Sequence, residues 1–175
     1  GWEKKPFAAK FSKRYNVPVL VENDVNMIAI GEDLVGAGQE ESNIVSIWIG
    51  AGIGAGIIMD NQLIRGASGI AGEIGYLEVG NVLANHSFLR NLYTNQKYIG
   101  DLLSEDHLFE VLQTAMQFKK NKLEKSINEY TITDFLRLGD EGNRDIQEIL
   151  DEYALILAIV CTELIKTINT NLIIL

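Results

Sequence analysis

The chain has 175 residues, of which 47% are hydrophobic, with a net charge of −9 and a single cysteine. The acidic balance argues against direct nucleic-acid binding by these residues, because phosphate groups are bound by basic surfaces. One cysteine excludes an internal disulfide and a cysteine-rich zinc module, and the apolar neighbours of Cys161 favour a buried, unreactive thiol.

The apolar run at residues 153–161 is well short of the about 20 residues that span a bilayer. No signal peptide opens the chain, so we expect a cytoplasmic protein without membrane contact. The chain opens inside a helical pattern and stops on an apolar strand pattern, residues 171–175. We therefore expect a fragment of a longer protein.

The first segments predict a helix, a strand and a second helix. Apolar spacing predicts a helix over residues 3–15, and residues 17–21 form a short β-like run with a proline near its start. Residues 25–33 predict the next helix. In α/β sheets, ligands collect at the carboxyl ends of strands, so Asn23 and Asp24 are candidates to bind one.

A glycine-rich stretch follows the predicted strand 43–49. Residues 50–56 carry glycine at every second position, and exposed N–H groups in such a loop bind anions such as phosphate. A purely structural hairpin is the more common role of such a stretch, so both interpretations stay open. Residues 57–59 and 62–64 predict two further strands around an Asp60–Asn61 turn.

The segment 65–76 is rich in small residues that permit tight turns, with Glu73 and Tyr76 as the bulky polar groups of its second half. Later helices follow from their caps. Ser104 is a predicted N-cap for a helix over 105–118, and a polar connection follows at 119–125.

The last third of the chain predicts two helices and a strand. A capping box at residues 131–134 opens a helix to Leu138, which Gly139 is expected to stop. Residues 143–167 predict one long helix, apolar all round in its middle and so buried on several sides. It leads into the terminal strand.

Three motifs in order and spacing, at residues 21–26, 50–56 and 65–76, closely resemble the ROK family of bacterial sugar kinases and sugar-responsive repressors. The resemblance covers essentially the whole chain. It implies an α/β protein with the actin-like ATPase (ribonuclease H-like) fold, mostly its C-terminal lobe. Residues 1–30 would end the N-terminal lobe and residues 31–175 would form the C-terminal ROK lobe.

The resemblance also implies a sugar site and a phosphate-facing loop. Asn23 and Asp24 match the sugar-contacting pair, with Asp24 as the catalytic base if the protein is a kinase. Glu73 matches a second sugar-binding carboxylate. The full set of implied sugar-binding residues is Asn23, Asp24, Gly66, Ser68, Glu73 and Tyr76, and the phosphate-facing residues are Gly50, Ala51, Gly52 and Gly54.

Several positions depart from the family pattern. Ala51 stands where the kinases usually carry threonine, and Ser68 stands where asparagine is usual. Tyr76 replaces a histidine that contacts sugar and ligates zinc, and the cysteine cluster that normally follows is missing. We therefore expect neither zinc nor any other metal site, and we expect His86 and His107 to be ordinary surface or capping residues.

These departures favour the effector-binding portion of a ROK-type transcriptional regulator that senses a sugar or sugar derivative. DNA would be contacted only through a winged helix-turn-helix outside this chain, and a homodimer without cofactor is expected. The alternative is an ATP-dependent sugar kinase without the zinc site, similar to glucokinase or N-acetylmannosamine kinase and using ATP and Mg²⁺. Enzyme activity is thus left open, with the balance against it; a degenerate dimerisation scaffold is a third interpretation.

Overall fold

The structure is a computed structural model that describes residues 5–82, 96–118 and 126–175. Four strands form one mixed sheet in the order β3-β2-β1-β4. The strands are β1 (Ile44–Ile49), β2 (Ile53–Met59), β3 (Gln62–Leu63) and β4 (Leu172–Ile174). The helices are α1 (Phe7–Tyr15), α2 (Asp24–Val35), α3 (Val79–Val82), α4 (Ile99–Leu102), α5 (Glu105–Phe118), α6 (Ile132–Asp140) and α7 (Arg144–Ile168), with 3₁₀ helices at Ile74–Tyr76 and Ile127–Glu129.

The predicted hairpin and terminal strand are confirmed. β1 and β2 pair antiparallel, with Ile49 opposite Ile53. Asp60 and Asn61 both take positive φ angles, 50° and 61°, as a tight turn between twisted strands requires. β4 pairs parallel with β1, and the long helical crossover between them supplies the connection that a parallel pair needs.

Glycines of β2 let α2 lie close to the sheet. A Cβ at Gly56 would overlap the Cβ of Ala29, and one at Gly54 would lie 3.2 Å from Val25 Cγ2. The prediction of a loop over residues 50–56 is therefore wrong in its second half, because Gly54 and Gly56 belong to β2. Only residues 50–52 connect the two strands.

The predicted strand at residues 17–21 is also wrong. These residues carry no strand assignment, and the Leu20 side chain is 95% exposed. A strand needs a neighbour for its backbone hydrogen bonds, and no strand of the described residues pairs here. α1 likewise begins at Phe7 rather than at residue 3; residues 1–4 lie outside the described range.

Helix caps follow the sequence closely. Ser104 Oγ accepts a hydrogen bond from the His107 N–H at 3.2 Å, and Asn143 Oδ1 accepts one from Ile146 N–H at 3.3 Å. Thr131 forms the predicted capping box with Asp134. The predicted end of α6 is wrong, since Gly139 lies within that helix.

Gly139 serves packing rather than termination. A Cβ there would lie 3.1 Å from Leu150 Cδ1, so its absence lets α7 approach α6.

α7 itself is buried on one side only, contrary to prediction, because Leu155 and Ile165 are 38% and 48% exposed. Cys161 is half-buried, and burial raises the pKa of its thiol, which keeps it protonated.

Two large apolar cores result. One lies between a face of the sheet, α4 and α7, and the other joins α5, α6 and α7 around Phe135. Tyr153 borders both, and its hydroxyl donates to the Leu103 carbonyl at 2.6 Å. Burial raises the pKa of Tyr153 to about 12. Within the described ranges, no helix has the length and apolar character needed to cross a membrane.

Candidate functional site

A cavity of about 330 Å³ opens between the start of α2, the β1–β2 connection and the segment 65–73. The three polar residues predicted to bind sugar, Asn23, Asp24 and Glu73, all line this cavity, which we call the polar cavity. Trp48 lines it as well, with 53% of its side chain exposed. The structure thus brings together residues 50 positions apart in sequence.

The N-terminus of α2 positions the first two polar groups. Asn23 is the N-cap, and its Oδ1 accepts hydrogen bonds from the N–H groups of Val25 and Asn26, at 2.9 and 3.2 Å. Asp24 Oδ1 accepts from Val25 N–H at 2.9 Å, and a carboxylate is electrostatically favoured in the first turn of a helix. The Asn23 amide N–H₂ and Asp24 Oδ2 make no hydrogen bond within the described residues, so both are available to a ligand.

Gly72 positions the third. Its carbonyl accepts a hydrogen bond from Ala55 N–H at 2.8 Å, which ties the segment 65–73 to β2. Its φ is +85°, and a Cβ would overlap the Ala55 carbonyl oxygen. Only glycine fits there without displacing the backbone. Glu73 follows directly, so this close approach sets where its backbone lies and from which point its side chain enters the cavity.

An ion pair joins the two walls of the polar cavity. Arg65 Nη2 and Nε lie 2.6 and 2.7 Å from Glu22 Oε2, while Glu22 Oε1 accepts hydrogen bonds from the Asn26 side chain and the Asn23 N–H. Donation from Asn26, then from Asn23 and Arg65, lowers the pKa of Glu22 to about 2. Sequence reasoning missed this pair. Glu22 is the second residue of the first motif and Arg65 the first residue of the third, and nothing in their local sequence indicates that they pair.

A second cavity of about 330 Å³ adjoins the first. It shares Ala51, Gly52, Ile53 and Glu73 with the polar cavity and adds Tyr76, Tyr98, Asp101 and Ser104, so we call it the tyrosine cavity. Tyr76 therefore lies beside the polar cavity and does not line it. Sequence reasoning also missed Tyr98 and Asp101, which follow a stretch without motif.

Two glycines build the tyrosine cavity. A Cβ at Gly75 would lie 2.7 Å from the Ile53 carbonyl oxygen, and one at Gly100 would lie 3.0 Å from the Gly75 carbonyl oxygen. This close approach packs the Ile74–Tyr76 3₁₀ helix against α4. The rings of Tyr76 and Tyr98 meet edge to face, with centroids 6.0 Å apart.

Of the other residues that the resemblance assigned to sugar or phosphate, some line the polar cavity and some do not. Ala51, Gly52 and Gly54 line the polar cavity. Gly50, Gly66 and Ser68 line neither cavity; Gly69, Ala71 and Gly72 line the polar cavity from that segment instead.

The described residues contain no group of three or more histidine, cysteine, aspartate or glutamate side chains arranged to hold a metal ion. His107 follows the α5 N-cap, and burial lowers the pKa of its imidazole. His86 and the polar connection 119–125 lie outside the described ranges, as does most of the segment where the family carries its cysteine cluster. The absence of zinc stays a prediction.

Comparison with known families decides the relationship: the ROK family model matches residues 1–175. The chain belongs to the ROK family. It is 29% identical to the xylose repressor of Bacillus subtilis (strain 168), in an alignment that covers 99% of this chain and 41% of the repressor. It is 39% identical to the glucokinase of Halalkalibacterium halodurans over 79 residues, which cover 45% of this chain and 24% of the kinase.

Solved structures show the same fold. A ROK family glucokinase from Streptomyces griseus, in complex with glucose and AMPPNP, matches with a TM-score of 0.76 at 22% identity. The match covers 96% of this chain and 55% of the glucokinase chain. A ROK family transcriptional regulator, a homolog of the E. coli MLC protein, matches with a TM-score of 0.76 at 21% identity over 95% and 41% of the two chains.

The α/β, actin-like ATPase fold of the family is therefore confirmed for this ROK chain. The chain spans about two fifths of the length of the xylose repressor. Its division into two lobes at residue 30 stays a prediction.

Proposed function

We propose that this ROK chain is the effector-binding portion of a transcriptional regulator and that a sugar or sugar derivative occupies the polar cavity. The observation that supports this is the convergence of Asn23, Asp24 and Glu73 on one cavity. An amide and two carboxylates offer the donor and acceptors that several sugar hydroxyls require. The exposed surface of Trp48 offers an apolar wall for the C–H face of a sugar ring.

Two features favour a regulator over a kinase. The xylose repressor aligns over 99% of this chain, whereas the glucokinase aligns over 45%. Ala51, which lines the polar cavity, has no hydroxyl to offer a nucleotide phosphate. Because the repressor that aligns over nearly the whole chain is named for xylose, D-xylose is the first ligand to test.

Ligand binding would act by bridging the two walls of the polar cavity, which both pack on β2. Asn23 and Asp24 lie at the start of α2, and Glu73 lies in the segment that follows Arg65. A sugar held by both walls favours the closed arrangement, and a ligand that binds one of two states more tightly shifts their populations. DNA binding and dimer formation would respond through parts outside the described residues.

Calorimetric titration of protein expressed from the complete reading frame tests the proposal. Xylose and glucose are titrated into the wild type, Asp24→Ala and Asp140→Ala. Loss of hydrogen bonds to a charged group is worth about 1.5–3 kcal/mol, so Asp24→Ala should weaken binding at least about tenfold. Asp140 is exposed at the end of α6 and does not line the polar cavity, so its variant should bind normally. Wild-type affinity in Asp24→Ala would contradict the placement of the site.

An ATP-dependent sugar kinase is the second candidate. Asp24, the implied base, shares the polar cavity with Gly52 and Gly54 of the implied phosphate-facing loop. A coupled assay of ADP release with Mg-ATP and each sugar distinguishes the two functions. The regulator proposal expects negligible turnover, and robust turnover that Asp24→Asn abolishes would establish the kinase instead.

A further inference from the structure

We propose that the ligand is a disaccharide, with one sugar unit in the polar cavity and the second in the tyrosine cavity. This inference rests on the proposed function and names its ligand class. The two cavities share a wall of four residues, Ala51, Gly52, Ile53 and Glu73. Each holds about 330 Å³, near the lower end of the roughly 300–1,000 Å³ of small-molecule sites. Glu73 is the charged residue of this shared wall.

Tyr76 supplies the surface for the second unit. Its backbone is fixed by the Gly75–Gly100 approach, and its ring is held edge to face by Tyr98, yet 71% of the side chain is exposed. An aromatic ring fixed in this way loses little conformational freedom when an apolar surface covers it. The C–H face of a pyranose ring is such a surface.

The polar lining of the tyrosine cavity favours a neutral, hydroxyl-rich group over a phosphate. Glu73 and Asp101 contribute carboxylates and Tyr98 contributes a hydroxyl, whereas Ser104 Oγ is buried and already bonded to the Asp101 carbonyl and the His107 N–H. Carboxylates accept hydrogen bonds from sugar hydroxyls but repel a phosphate anion. Lys97 Nζ lies 4.7 Å from the centre of the Tyr98 ring, and Lys97 is not part of the lining.

Paired sugars test the inference. Calorimetry compares D-xylose with xylobiose and D-glucose with cellobiose, on protein from the complete reading frame. In the wild type, one disaccharide should bind at least tenfold more tightly than its monosaccharide. Tyr76→Ala should bring that ratio close to one, while Tyr76→Phe, which retains the ring, should preserve it.

Two controls separate the second unit from general damage. Tyr15→Ala removes an exposed tyrosine of α1 that lines neither cavity, so it should leave the ratio unchanged. Asp24→Ala should weaken both members of each pair. Thermal melting confirms that each variant folds.

Each outcome decides something. A wild-type ratio near one, or a ratio that Tyr76→Ala leaves unchanged, overturns the disaccharide inference, while monosaccharide binding that depends on Asp24 upholds the proposed function. If none of the four sugars binds, both are overturned.

Discussion

The two ends of this chain's fold are built by different means. Around α5, α6 and α7, large apolar side chains such as Phe135, Leu112 and Ile146 are fully buried against one another. Around the polar cavity, the backbone approaches itself at glycines and the important side chains, Asp24 and Glu73, are exposed. Buried apolar side chains therefore stabilise the helical region, while the site takes its geometry from backbone contacts. Substitutions should separate the two.

The largest effect is expected in the helical core. Phe135 is fully buried, and its ring centroid lies 5.4 Å from that of Tyr130 and 5.7 Å from that of Phe109. Phe135→Ala should lower the free energy of unfolding by about 3–5 kcal/mol, measured by urea denaturation. The sugar affinity of the folded fraction should stay unchanged. The neighbouring exposed Leu136→Ala is the control, and equal losses from both variants would refute the comparison.

A smaller loss of stability but a large loss of binding is expected at Gly72. Gly72→Ala should cost about 2–3 kcal/mol, because it adds backbone strain and forces the segment 65–73 away from Ala55. Gly142 is the matched control, since it also has a positive φ, +94°, with open space around its Cβ position, and it lines neither cavity. Gly142→Ala should cost about 1 kcal/mol. Similar sugar affinities for the two variants in calorimetry would show that the Gly72–Ala55 contact does not position Glu73.

The smallest effect concerns pH. The folded-state pKa of Glu22 is about 2, below its ordinary 4.5. Its contribution to stability is therefore fully present above about pH 4.5 and is lost as the pH falls towards 2. The ion pair is partly exposed, so the effect is small. The difference in unfolding free energy between wild type and Glu22→Gln should shrink from pH 6 to pH 3. A difference that stays constant over this range would show that ionised Glu22 does not stabilise the fold.

Features set by local sequence were predictable. The Asp60–Asn61 turn, the cap at Ser104 and the capping box at residues 131–134 need only neighbouring residues, and the structure confirms them. The resemblance led us to expect Asn23, Asp24 and Glu73 in one site, and all three line the polar cavity.

Features set by distant partners were not predictable. Residues 17–21 have strand-like sequence but no described strand to pair with, and Gly139 continues a helix because α7 packs against it. The Glu22–Arg65 pair spans 43 positions, so no local pattern reveals it. Tyr76 lies outside the polar cavity because Gly75 and Gly100 draw its 3₁₀ helix against α4.

The most direct measurement is a crystal structure of the protein with the sugar that binds most tightly in the titrations. The account predicts sugar hydroxyl oxygens within about 3.2 Å of the carboxylates of Asp24 and Glu73. A sugar ordered elsewhere on the protein, with both carboxylates in contact with solvent alone, would contradict it.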